Sequence, residues 1–433
     1  MNPESRNAGL RRKTLSEWLE YLERLHPQAI AMGLDRVERV RRQLAISPRF
    51  PVITVGGTNG KGSCCAMLEA MLIQAGYRVG CYTSPHLLRY NERVRIAGRE
   101  ADDAVLCSAF ERIEAARGDV LLTYFEFGTL AAMLAFDDAG LDVAILEVGL
   151  GGRLDAVNVF DTDCALVATV DIDHVDYLGA SRESIGFEKA GIFRAGRPAI
   201  CADRNPPQTL IDHAQRIGAQ LLLIDRDFGF EAERSQWRYW GPKGGRYGLP
   251  HPVLRGECQL ANAAACITAL DELHARLPAS AQSLRSGLVT CEIPGRFQVL
   301  PGRPLVILDV AHNPQAARAL AHNLAGMAAT PRTLAVFSML KDKDIVSVAE
   351  ALRDRVTDWH VAPAPGPRAA SAEALSAALS GAGVAVPIQR HEDIASAWRA
   401  AHAAAGGNDK IVVFGSFLTV AAVMQERQRV DRP

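Results

Sequence analysis

Charge of one sign is missing from this sequence. Its 433 residues hold 48 Lys and Arg against 49 Asp and Glu, a formal net charge of −1, so a nucleic-acid partner held by general electrostatic attraction is not expected. No apolar run approaches the roughly 20 residues of a membrane-spanning helix, and no membrane partner is expected. Cysteine occurs without chelating or redox spacing: nine residues, an odd number, with no C-x-x-C. That is the reduced usage of a cytoplasmic protein, and it argues against a cysteine metal centre. No solenoid period recurs. A signal peptide is not expected either, because "RRKTLSEWLEYLERLH" sets Trp18, Leu19, Leu22 and Leu25 at helical spacing among charges.

Hydrophobic residues make up 48% and charged residues 22%, the balance of a globular protein, and the length exceeds what one core serves, so two domains are expected. Apolar β-rich runs alternate with helical patterns, the mark of an α/β chain with a mostly parallel sheet. Strands are expected at 52–55, 79–82, 143–146, 165–170 and 198–201, a small antiparallel patch within 228–256, and a helix at 258–273. Pro and Gly concentrate in "IPGRFQVLPGRP". The expected division is a P-loop-type domain at 1–295, a linker at 296–302 and a smaller Rossmann-like domain at 303–433.

The chemistry begins at "VITVGGTNGKGSCCAMLEAMLIQAG", where glycines lie between a buried-type strand and a helix. Backbone N–H groups of Gly57, Thr58, Asn59, Gly60, Gly62 and Ser63 would converge on an anion at the helix start, with Lys61 as a point charge for terminal phosphates. The pattern departs from G-x-x-x-x-G-K-[ST] at Val55 and Gly62, which disfavours a generic GTPase or kinase. Magnesium needs oxygen ligands, so they must come from Ser63 or from other strand ends. "VGCYTSPHL" offers Thr83, Ser84 and His86, and "LDVAILEVGLGG" offers Glu147 where a Walker-B-type acid belongs. "CALVATVDIDHVDYLG" ends in Asp171, Asp173 and His174, a cluster that reads either as a second metal position or as loop polarity.

"GTNGKGS", "TSPHL", "TYFEFGT", "LEVGLGGRLDA", "DHVDYLG", "FEKAGI", "PGRFQ" and "DVAHNP" occur in that order. Together they resemble the folate branch of the Mur ligase superfamily, the bacterial dihydrofolate and folylpolyglutamate synthases. The resemblance implies an ATP-dependent ligase with two magnesium ions that joins L-glutamate to dihydropteroate or tetrahydrofolate through an acyl phosphate. It implies that Ser84 and Glu147 hold one ion and Glu147 and His174 the other. Lys61, Lys189 and His312 become catalytic candidates, with Lys189 carbamylated. Asn262, Arg296 and Asp309 match nucleotide-contacting positions. Thr123, Tyr124, Phe125 and Glu126, with Leu154, Asp155 and Ala156, match pteridine-binding segments, as do Gly33 and Leu34. An aromatic to stack on and an acid for ring N–H groups are what a pterin needs. The N-terminal Asp-Leu-Gly-Leu of bifunctional relatives reads Ala31, Met32, Gly33, Leu34 here, a departure that bears on the dihydropteroate activity. A monomer is expected. The competing readings are a monofunctional folylpolyglutamate synthase, a Mur ligase acting on a UDP-linked cell-wall precursor, a nucleotide-dependent switch and an α/β scaffold with an empty loop.

Overall fold

The computed structural model describes residues 13–28, 30–256 and 258–430. Arg11 and Arg12 of the N-terminal amphipathic stretch lie outside them. The remainder of that stretch is the helix Leu15–Leu25, started by a reciprocal cap between Thr14 and Glu17, and it buries Leu15, Trp18 and Leu22.

The first sheet has eight strands: β1 (Val52–Gly56), β2 (Val79–Tyr82), β3 (Val94–Ile96), β4 (Arg99–Glu100), β5 (Val143–Glu147), β6 (Cys164–Val167), β7 (Pro198–Cys201) and β8 (Gln220–Leu223). Their order is β4-β3-β2-β5-β1-β6-β7-β8, with β3 antiparallel to β2, β4 antiparallel to β3, and every other pair parallel. β1, β5 and β6 are buried along their whole length, as strands covered on both faces must be. Alternate residues feed two cores: Ala144 and Leu146 join the side that holds Trp18, Phe110 and Phe127, while Val143 and Ile145 join the side packed by Met67, Ala264 and Leu284. β1 lies between β5 and β6, and its register sets Val55 beside Glu147 on one flank and Leu166 on the other. The chain therefore leaves three neighbouring strands at one edge, the position where ligands bind in parallel sheets.

Three antiparallel strands follow, β9 (Gly229–Ala232), β10 (Gln236–Trp240) and β11 (Arg246–Pro250), as the aromatic and glycine pattern suggested. The second sheet holds β12 (Gln298–Leu300), β13 (Leu305–Leu308), β14 (Thr333–Phe337), β15 (Asp358–Val361), β16 (Ile388–Arg390) and β17 (Lys410–Phe414), in the order β12-β13-β17-β14-β15-β16. It is parallel except for β12, which pairs antiparallel with β13 through Val299 and Ile307. The stretch 296–302, expected as a linker, is thus partly an edge strand of the second sheet, and residues 291–297 are the part of the junction without helix or strand. No helix among the described residues is long and apolar enough to cross a membrane.

The helix Lys61–Gln74 carries the glycine loop at its start and is backed by the helix Ala281–Thr290. The contact is close because of Gly287: a Cβ there would stand 2.6 Å from both the N and Cα of Met71. Those are backbone atoms of a neighbouring helix and have no easy retreat. Gly287→Ala is expected to destabilise the chain by about 1–3 kcal/mol and to raise the KM for ATP by displacing the loop helix. Thermal melting with nucleotide titration checks this, and an unshifted melting point with normal ATP affinity would refute it.

Candidate active site

The loop between β1 and its helix needs glycine at two points for steric reasons. Gly57 has φ +139°, and a Cβ there would lie 3.1 Å from the backbone nitrogens of Ala168 and Thr169; Gly60 has φ +89°, with Asn262 Oδ1 at 3.0 Å. The loop is strapped to the end of β6: Thr58 N donates to Thr169 O (2.7 Å), Asn59 N donates to Thr169 Oγ1 (3.1 Å), and Thr58 Oγ1 exchanges hydrogen bonds with the Asp171 backbone (2.9 Å each). Lys61 Nζ folds back onto the carbonyls of Gly57 (3.0 Å) and Thr58 (3.2 Å). Burial lowers its pKa, Glu147 opposes that shift, and Arg296 adds to it.

Gly62 leaves room that a hydroxyl-bearing residue would fill. A Cβ there would meet Ile293 Cδ1 at 3.0 Å and stand 4.0 Å from both Arg296 Nη2 and Glu147 Oε1. The helix start is thereby open to a carboxylate and a guanidinium. Ser63, the next hydroxyl, is buried, and its Oγ accepts from Gln259 Nε2 (3.3 Å).

Glu147, only 3% exposed at the end of β5, accepts from the Ser84 backbone N–H at 3.0 Å. Burial raises its pKa, while Lys61, the Ser84 amide and Arg296 pull it back down. Of the other candidates on the Ser84 segment, Thr83 Oγ1 accepts from Arg95 (3.3 Å) and His86 Nδ1 accepts from Arg93 Nε (2.8 Å). Ser84, Glu147 and His174 line one cleft of about 370 Å³ together with Gly57, Thr58, Asn59, Gly60, Lys61, Lys189, Arg296 and His312. Burial brings His174 down to about 4 against the pull of Asp173, so its ring is neutral at pH 7 and has a lone pair for a cation. Among the described residues no three His, Cys, Asp or Glu side chains cluster as a metal cage. The donors instead fit a cation that also takes phosphate and water oxygens, as magnesium does.

Lys189, 3% exposed, is brought down to about 7 by burial and by Lys61. His312 comes from the second domain. Its Nδ1 lies 2.8 Å from Val310 O, which fixes the proton there and leaves Nε2 as acceptor, and burial holds it at about 4. Arg296 stacks over Phe417 at 5.3 Å.

Two contributions were not apparent in the sequence. Lys343, 9% exposed in its side chain, binds Asp173 Oδ1 at 2.5 Å, although "KDKD" reads as a solvated charge run. Asn59 Nδ2 reaches Gln315 Oε1 (2.5 Å) and Asn313 Oδ1 (3.2 Å) in the second domain, so the glycine loop is tied to it directly. The strand-end position of Lys343, after β14, was the available signal.

The other candidates stand outside the lining of this cleft. Asn262 packs behind Gly60 and donates to Gln259 Oε1 (3.1 Å). The Asp309 carboxylate accepts from Phe297 N (2.9 Å) and Ala311 N (2.8 Å), and burial pushes it up to about 6 against Arg296. Thr123 and Glu126 cap the helix Tyr124–Ala139 reciprocally, and Arg36 Nη2 binds Glu126 at 2.9 Å. That acid, expected for a pterin, is occupied by structural contacts. Tyr124 stands 5.9 Å from the Tyr90 ring, and Phe125 lies over Gly149, where a Cβ would come within 2.7 Å of its ring. Asp155 accepts from Leu150 N (2.7 Å) and Val157 N (3.1 Å), and burial pushes it up to about 7. Leu154 O accepts from Gly33 N (3.4 Å), Leu34 precedes the helix Asp35–Gln43, and Ala156 is buried. These residues form the support behind Gly149, Leu150 and Gly151, which line the cleft.

The family description "Mur ligase middle domain" matches residues 55–270 and "Mur ligase, glutamate ligase domain" matches residues 295–417. The dihydrofolate synthase/folylpolyglutamate synthase of Escherichia coli (strain K12) is 46% identical over 413 residues, covering 95% of each chain. The solved structure of E. coli FolC in complex with DHPP and ADP superposes with a TM-score of 0.92 at 44% identity, covering 97% of this chain and 99% of that one. A bifunctional folylpolyglutamate synthase/dihydrofolate synthase with Mn, AMPPNP and L-glutamate bound gives a TM-score of 0.89 at 46% identity, over 96% and 98% of the two chains. With its glycine loop, strand-end acid and second-domain histidine in one cleft, the chain belongs to the Mur ligase family of ATP-dependent ligases, within the group of dihydrofolate synthase/folylpolyglutamate synthases.

Proposed function

We propose that this chain uses ATP and two magnesium ions to join L-glutamate to dihydropteroate, giving dihydrofolate, and to tetrahydrofolate, extending a γ-glutamyl chain. The observation that carries the reading is that Lys61, Ser84, Glu147 and His174, from the strand ends of the first sheet, share one cleft with Arg296 and His312. The relatives bind DHPP, ADP, AMPPNP, Mn and L-glutamate by name, ligands of the same chemistry. Residues 1–295 serve as the nucleotide and pteridine domain and 303–433 as the glutamate ligase domain, working as a monomer in the cytoplasm.

A carboxylate oxygen of the pteridine substrate attacks the γ-phosphorus, the bond to ADP breaks, and an acyl phosphate forms. The glutamate amine then attacks the acyl carbon, the C–O bond to phosphate breaks, and the amine proton leaves. Magnesium, when bound, neutralises phosphate charge. Lys61 leaves the carbonyls of Gly57 and Thr58 for the phosphates, and Arg296 reaches them from between the domains. The free Nε2 of His312 is placed to take the amine proton. Ser84 with Glu147 holds one ion, and Glu147 with His174 the other. Asn262, Arg296 and Asp309 serve the nucleotide, while Gly33, Leu34, residues 123–126 and residues 154–156 shape the pteridine end.

A monofunctional folylpolyglutamate synthase is the second reading, favoured by one observation: Ala31 stands where the bifunctional enzymes this sequence resembles often have an acid. Phosphate release measured with glutamate plus dihydropteroate, tetrahydrofolate or a UDP-muramoyl peptide, one at a time, separates these. Turnover with both folate compounds is expected, with tetrahydrofolate alone it is monofunctional, and with the peptide alone the folate reading is wrong.

Glu147→Gln keeps the shape but removes the charge, and turnover is expected to fall by about 10²-fold or more; undiminished turnover at saturating magnesium would remove Glu147 from the metal site. Lys189 carries a further expectation. Held at about 7, its neutral amine can attack carbon dioxide, forming an N–C bond and losing a proton. The neutral fraction grows as pH rises through that value, so a carbamate carbon signal in ¹³CO₂-labelled protein should grow over the same range and vanish in Lys189→Met. A signal that persists in the variant, or appears only near the ordinary lysine pKa, would contradict it.

A further inference from the structure

We infer that His86 donates a hydrogen bond from Nε2 to the acyl oxygen, where negative charge gathers as the amine attacks, and that Arg93 positions it for this. The inference deepens the ligase reading above and rests on it. That reading supplies cations for the phosphates and an acceptor for the amine proton, but it leaves the acyl oxygen without a donor.

The His86 ring lines the same cleft as Lys61, Ser84, Glu147 and His312. Arg93 Nε stands 2.8 Å from His86 Nδ1, and a guanidinium nitrogen can only donate. Nδ1 therefore keeps its lone pair for Arg93, and the single proton of the ring lies on Nε2, an atom with no hydrogen-bond partner among the described residues. His312 has the opposite arrangement, with Nδ1 facing Val310 O at 2.8 Å and Nε2 as acceptor. One cleft thus holds two histidines of opposite tautomer, one able to take a proton and one able to offer a hydrogen bond.

Arg93 is itself held. Its carbonyl accepts from Thr83 N at 2.9 Å, one residue before Ser84, and its guanidinium lies over the rings of Tyr90 (5.6 Å) and Tyr124 (5.4 Å). His86 meets the same Tyr90 ring edge-on at 6.0 Å. The donor is thereby oriented before a substrate arrives, which is what makes such a group effective. Because it is neutral, it does not draw the leaving phosphate away from Lys61 and Arg296. As the C–N bond forms, the carbonyl electron pair moves onto oxygen, where Nε2–H meets it. When the pair returns, the C–O bond to phosphate breaks, and His86 keeps its proton throughout.

The test follows the wild-type chain, His86→Leu, His86→Gln and Arg93→Met through a single turnover with ATP, magnesium, tetrahydrofolate and L-glutamate. It measures both the amide product and the acyl phosphate trapped by borohydride reduction. His86→Leu, which has no donor, is expected to slow amide formation about 10²-fold while acyl phosphate accumulates and half-saturation by ATP stays unchanged. His86→Gln, which keeps a side-chain N–H, should recover part of the rate. In ¹⁵N spectra of histidine-labelled protein, one ring, missing from His86→Leu, should be protonated at Nε2 alone, and in Arg93→Met it should become a mixture of tautomers. An unaltered rate in His86→Leu, an equal loss of acyl phosphate and amide, or a His86 ring protonated at Nδ1 would overturn the donor alone. No acyl phosphate in the wild-type chain would overturn the ligase reading, and the donor with it.

Discussion

A carboxylate buried at the end of a parallel strand is the constraint around which this molecule is arranged. Glu147 is nearly buried and has no salt-bridge partner in direct contact among the described residues, and an uncompensated charge in such a place is costly. The Ser84 amide accounts for one oxygen, while Lys61 and Arg296 lower the cost at longer range. Gly62 faces this carboxylate and guanidinium across open space, since a Cβ there would stand 4.0 Å from both Glu147 Oε1 and Arg296 Nη2. The loop thus gives up the hydroxyl that usually serves the metal and opens a view of a neighbouring strand's acid instead.

The same edge couples the two domains. Asp173 follows β6, and burial would raise its pKa, yet Lys343 and His174 outweigh burial and hold it well below the usual carboxylate range. Asn313 Nδ2 reaches the same carboxylate at 3.4 Å, and Asn59 of the glycine loop bonds to Asn313 and Gln315. Thr58 is hydrogen-bonded to the Asp171 backbone, so the loop is joined on one side to the segment after β6 and on the other, through Asn59, to the start of the helix Pro314–Ala325. The glycine loop therefore meets the second domain without any intermediary element.

Strands buried on both faces were legible because their residues form continuous apolar runs, as at 52–55 and 143–146. β3, β4 and β8 were not, since they are short and partly exposed and owe their pairing to neighbours supplied by the fold. β12 hid among prolines and glycines, which read as a joint. At the site, Lys61 and Glu147 could be found from local pattern alone, because the end of a strand in a parallel sheet is a defined place. Glu126 shows the opposite case. Thr123 and Glu126 at spacing three are a capping signature, and the fold uses them as one, with Arg36 completing the arrangement. Lys343 had only its strand-end position as a signal, because its partner Asp173 stands 170 residues away in the chain.

Two groups near neutrality stand at this cleft, Lys189 in its lining and Asp155 buried behind it, and their shifts have opposite signs from one cause. Burial raises Asp155 to about 7 and lowers Lys189 to about 7. Each favours its uncharged form, and the attraction of Lys189 to Asp155 and Asp173 only partly offsets that preference. A pocket that disfavours a charged amine yet holds a free nucleophilic nitrogen beside Lys61 is suited to turning that nitrogen into an anion. Were it carbamylated, as proposed, its interaction with Lys61 would change from repulsion to attraction, and its attraction to Asp173 and Asp155 would become repulsion. Asp155 would then be pressed further toward its protonated form, able to donate a hydrogen bond where an ionised carboxylate could only accept one. The protonation of Asp155 would in this way follow the covalent state of Lys189.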